Sequence, residues 1–70
     1  MDHHQLENEL RHLEQVLSHY VAATQRFPLS YWRGRLNAVL VIPLVPSQRT
    51  RVRKLDERLR VLEARAAEIG

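Results

Sequence analysis

The chain has 70 residues, with eleven Lys or Arg against eight Asp or Glu, a formal net charge of +3 and no cysteine. A chain this short builds one small domain, here residues 1–70, and without cysteine neither disulfides nor a thiolate metal site can brace its core. Its apolar content of 44% argues against global disorder, and its longest apolar run, 36–45, is interrupted by Asn37 and Pro43 and is too short to span a bilayer.

Residues 1–5 form a polar lead-in in which Asp2 can cap a helix, because its side chain can accept from free amides one turn in. From Leu6 an apolar row recurs at spacings of three and four: Leu6, Leu10, Leu13, Leu17, Tyr20, Thr24 and Phe27. That repeat predicts an amphipathic helix over about 4–27, which Pro28 ends by disfavouring the helical conformation at Phe27. Val16 and Val21 widen the stripe, so this helix is expected to touch more than one neighbour.

The middle segment is less regular. Ser30 is a plausible cap, and Trp32, Leu36, Val39 and Leu40 share one helical face. The spacing predicts a short helix over 31–40, followed by an apolar turn at 41–46 that Pro43 and Pro46 stiffen. The competing reading is a buried strand at 38–42, since β-branched residues are frequent there.

Ser47 is read as the cap of a last helix over about 47–69. Val52, Leu55, Leu59, Leu62, Ala66 and Ile69 fill the a and d positions of its heptads. Arginines occupy g (Arg51, Arg58, Arg65) and acids occupy e (Asp56, Glu63). In a parallel pair of identical helices g faces e of the partner, so Arg51 would meet Asp56 and Arg58 would meet Glu63. The first helix carries acids on its own flanks: Glu7, Glu9 and Glu14. The resulting expectation is an all-α fold of two long antiparallel amphipathic helices joined by a short helix and an apolar turn, dimerising into a helical bundle. Leu10, Leu13, Leu17, Tyr20, Val52, Leu55, Leu59 and Leu62, with Leu44 and Val45 of the turn, are the candidate protein interface.

Charge is divided along the chain. Residues 1–26 carry two basic and four acidic side chains, and the remainder nine basic and four acidic. Arg33, Arg35, Arg49, Arg51, Arg53 and Lys54 follow one another with no acid between them. Together with Tyr31 and Trp32, which have faces on which bases can stack, they are the candidate contacts for nucleic acid or an acidic partner.

Reaction chemistry has little support. Glu9 and His12 have the Glu-x-x-His spacing of di-metal bundles, but the heptad register turns His12 away from the apolar row. His12 and His19 are separated by roughly 10 Å of helical rise, too far to chelate one ion. Ser18 and His19 are adjacent and project to different faces, and two glycines cannot build a phosphate-cradling loop. No enzymatic activity, metal or cofactor is expected. No basic-then-apolar leader is read at the start, and the lack of cysteine fits a reducing compartment, so a cytoplasmic protein is the default. The preferred function is a homodimeric protein-interaction or adaptor module. The alternative is a small nucleic-acid-binding or regulatory protein that uses the basic stretch 33–54.

Overall fold

The structure is a computed structural model that describes residues 2–21 and 24–69. Three helices follow in order: α1 (His3–Ser18), α2 (Leu29–Leu40) and α3 (Pro46–Ile69). All secondary structure among the described residues is helical, so the middle segment is helix up to Leu40 and the strand reading of 38–42 is set aside.

α1 starts as its sequence predicts. The Asp2 carboxylate accepts from the Gln5 amide at 2.8 Å, and the Gln5 side chain accepts from the Asp2 amide. This reciprocal box satisfies two donors that a helix start leaves free. Leu6, Leu10, Leu13 and Leu17 are buried, and the helix stops at Ser18. The expected continuation to Phe27 does not form over 19–21 or 24–28, and residues 22–23 of it lie outside the described residues. The reason is tertiary. The chain reverses in this stretch so that α2 can lie back along α1, and burying Trp32, Leu36 and Val39 outweighs a few more turns of an exposed helix. Arg58 of α3 completes the end of α1 by donating from Nε to the Leu17 carbonyl at 3.0 Å. A cation is thereby set where helix carbonyls point free, and α1 has none of its own in its last turn.

α2 begins two residues earlier than expected. Its N-cap is Pro28, which makes no side-chain cap bond, and Ser30 lies inside the first turn. α3 begins at Pro46, whose missing N–H costs nothing at the first helical position. Its cap is not Ser47. The buried Gln48 side chain accepts from the Val45 amide at 3.1 Å, and the Val45 carbonyl accepts the first helical bond from Arg49.

The directions of the helices follow from their cross-contacts. Arg51 of α3 bonds Glu7 and Glu14, and seven residues on Arg58 reaches Leu17. Position therefore rises together along α1 and α3, and the two long helices run parallel. This corrects the antiparallel hairpin expected from the sequence. α2 runs against both: Arg35 meets Glu9 while Trp32 meets His12 on α1, and Arg33 meets Asp56 and Glu63 on α3. Twelve helical residues travel back about 18 Å, so the middle segment is a third wall of the bundle and not a bend between two.

The core is drawn from all three helices. It comprises Leu6, Leu10, Leu13, Leu17, Trp32, Leu36, Val39, Val52, Leu55, Leu59 and Leu62. Both heptad seams therefore meet inside one chain. Beyond Glu63 the last turns of α3 are exposed, including Ala66 of the predicted row, and the Ile69 side chain lies outside the described residues.

Two substitutions in α2 should move stability in opposite directions. Gly34 sits in the helix interior, and a Cβ added there meets nothing within 4 Å. Gly34→Ala should raise stability by about 1 kcal/mol. Leu36 is fully buried, and Leu36→Ala should cost about 2–5 kcal/mol. Thermal melts followed by circular dichroism read both. A neutral Leu36→Ala would contradict α2 as a core wall.

Candidate functional site

The six cations of the predicted basic patch do not share a face. The inter-helix grooves take them separately: Arg33, Arg49 and Arg53 lie at the α2–α3 groove, Arg51 and Lys54 at α1–α3, and Arg35 at α1–α2. Three of them are tied to acids of the same chain. Arg33 holds Asp56 at 2.6 Å and Glu63 at 2.8 Å. Arg51 holds Glu7 at 2.6 Å and Glu14 at 2.7 Å. Arg35 grips Glu9 through two nitrogens and donates to the Tyr31 hydroxyl at 2.7 Å. Each inter-helix interface thus has an arginine–carboxylate clamp spanning it. Guanidinium groups suit this position because the planar fork can engage a carboxylate through two parallel bonds.

The aromatic pair is not available for stacking on bases. Trp32 is 4% exposed, and its indole N–H has no hydrogen-bond partner among the described residues. Its ring meets His12, Phe27 and Tyr31 edge-on. Tyr31 is half-buried with one face stacked against Phe27 at 4.3 Å between centroids. Glu9 and His12 are likewise separated in role, the acid on Arg35 and the imidazole against Trp32. Among the described residues no three His, Cys, Asp or Glu side chains are grouped so as to hold a metal ion, and no helix is long and apolar enough to cross a membrane.

Of the predicted interface, Leu10, Leu13, Leu17, Val52, Leu55, Leu59 and Leu62 are buried within the chain, and Tyr20 packs half-buried against them. A partner helix could reach that seam only by displacing one of the chain's own. Leu44 is half-buried and Val45 is exposed, so the turn is the part of the predicted interface that remains on the surface.

That turn adjoins a groove of about 670 Å³ between α2 and α3. Leu40, Ile42, Leu44 and Val52 provide its apolar lining, and Arg33, Asn37, Arg49, Arg53, Asp56 and Arg60 its polar edge. Two of those arginines are engaged, since Asp56 holds Arg33 on one oxygen and Arg60 on the other at 2.9 Å. Arg49 and Arg53 take part in none of the ion pairs among the described residues. Sequence reasoning does not select Leu40 or Arg60 for this site. Leu40 reads as core because it closes the Leu36–Val39 stripe, and the available signal for Arg60 is its spacing of four from Asp56.

No protein-family model, curated protein or solved structure matches this chain. The functional reading therefore rests on the molecule's own geometry.

The arginine clamps also set a pH dependence. The hydrogen bond from Arg33 holds the Asp56 and Glu63 carboxyls below their ordinary range, and that from Arg51 does the same for Glu14. A carboxylate depressed in the folded chain adds stability in full above its unfolded value of about 4, and loses it as pH falls through the folded value. The melting temperature should hold between pH 7 and 5 and fall at lower pH. Arg33→Met should cost about 0.5–2 kcal/mol at pH 7 and much less near pH 2. Melts at the two pH values test this, and an equal cost at both would refute the clamp.

Proposed function

We propose that the protein is a non-enzymatic interaction module that works as a single three-helix unit and offers the α2–α3 turn to another protein. One observation carries this reading. Leu40 at the end of α2, and Val41 and Val45 on the stiff turn after it, are 48%, 83% and 54% exposed, and they are half of the large apolar side chains left exposed among the described residues, the others being Val21, Phe27 and Val61. Apolar side chains left outside a core that closes within one chain mark a contact surface, and a turn held by Pro43 and Pro46 loses little freedom on binding.

The single-chain unit is supported by where the seam charges go. Arg51, Arg58, Asp56 and Glu63 would have to leave partners in their own chain to pair with a second copy. The homodimer inferred from the heptads loses both of its arguments, the open apolar row and the free flanking charges. A nucleic-acid role is less well supported. It retains Arg49, Arg53 and Lys54, which lie in two different grooves, and it loses Trp32. The non-enzymatic reading is supported by the histidines: His12 packs on an indole, and Nδ1 of His19 lies 3.3 Å from the Gln15 carbonyl of its own helix.

The test is site-specific photocrosslinking in the producing cell. A photoreactive residue at Val41 should give a discrete protein adduct, and the same residue at Gln15 on the exposed face of α1 should not. Val45→Asp in the Val41 background should abolish the adduct and leave the melting temperature unchanged. If Val41 and Gln15 give identical patterns, the docking reading is wrong.

A further inference from the structure

We infer that the α2–α3 groove takes an acidic amphipathic helix, with its apolar face on Leu40, Ile42, Leu44 and Val52 and carboxylates one turn apart on Arg49 and Arg53. This rests on the docking reading above and names the chemistry of the partner.

Unevenly distributed charge surrounds the apolar floor of the groove. The part of the groove around Arg33 is polar but already neutralised, because Arg33 of α2 and Arg60 of α3 share Asp56 and Arg33 also holds Glu63. Two positive and two negative charges there leave no net attraction for a ligand. The start of α3 differs. Arg49 and Arg53 are exposed and outside every ion pair of the described residues, and both line the groove. They are four residues apart on one helix, a rise of about 6 Å. Carboxylates at i and i+4 of a second helix have the same separation, so the two sets match in register and each arginine can take one acid through its planar fork.

The floor selects the rest of the ligand. A concavity of about 670 Å³ lies in the range of roughly 300–1,000 Å³ that receives compact organic groups. It can take anchoring side chains from a helix, and it is too small for a globular surface. Val41 and Val45 are exposed on the turn that carries Ile42 and Leu44. The mode is a helix in a groove, with apolar anchors at i, i+3 or i+4, and i+7. The asymmetry of charge also orients the ligand, with its acids towards the start of α3, where Arg49 and Arg53 lie, and away from the neutralised cluster of Arg33, Asp56 and Arg60.

The probe is a synthetic 16-residue helical peptide with leucines at i, i+3, i+4 and i+7 and glutamates at i+1 and i+5 on one flank. It is titrated into the ¹⁵N-labelled full chain and followed by NMR, and by fluorescence anisotropy at low and high salt. A second peptide carries lysine at the glutamate positions. A third sample contains vesicles of phosphatidylserine and phosphatidylcholine. The glutamate peptide should shift resonances of Leu40, Leu44, Val52, Arg49 and Arg53 and leave those of α1 in place. Arg49→Ala with Arg53→Ala should weaken it about fivefold to tenfold, as two exposed charge contacts allow. Leu40→Asp, at a half-exposed position, should weaken it tenfold or more.

Equal binding of the lysine peptide, or no groove shifts at millimolar peptide, would overturn the assignment. Vesicle binding without peptide binding would overturn it in favour of a lipid surface. If the Val41 crosslink persists while the peptide fails, this inference falls and the broader docking reading stands. If both fail, both fall.

Discussion

The fold depends on burying three apolar stripes against one another inside a single short chain. Among the described residues eleven side chains make that interior, and burial of one large apolar side chain is worth about 1.5–3 kcal/mol. Two walls would leave half of each leucine row in water. The third wall is α2, which places Trp32, Leu36 and Val39 over the seam between α1 and α3. Because α2 must travel back to do so, α1 stops early, the connector turns, and α3 departs in the direction of α1.

The ion pairs are consequences of that arrangement and refine it. A partly exposed pair contributes about 0.2–1 kcal/mol, so the three arginine clamps cannot rival the core. Their effect is on register. Arg51 lies between Glu7 and Glu14, two turns apart on α1, and Arg33 lies between Asp56 and Glu63 on α3. Sliding either helix by a turn would break one or both bonds of each clamp while leaving apolar contact nearly unchanged. Acids from α1 and α3 meet arginines from α2 and α3, so the charge division along the chain is largely cancelled across the interfaces.

What the fold leaves unused is what bears on function. After the clamps are made, Arg49 and Arg53 take part in no ion pair among the described residues and line one groove. After the core is made, Leu40, Val41 and Val45 remain outside it, as do Val21, Phe27 and Val61. Leu40 lines the same groove as the two arginines. On the docking proposal, that combination suits a partner that is both apolar and acidic.

The sequence by itself determined the buried leucine rows of the two long helices, but not where α1 ends or whether 38–42 is helix. Leu6–Leu10–Leu13–Leu17 and Val52–Leu55–Leu59–Leu62 are legible because a periodicity of 3.6 is a local property of the chain, as is the Asp2 cap. The apolar turn was legible for the same reason, since prolines and branched side chains act within a few residues. Tertiary structure alone decided what those faces meet. A heptad row looks the same whether its partner is another chain or an earlier part of its own. An arginine in a basic run looks the same whether Glu63, thirty residues away, holds it or solvent does. The direction of α3 relative to α1 hung on whether residues 29–40 made a bend or a wall. That choice is made by packing against both long helices at once, and no local pattern records it.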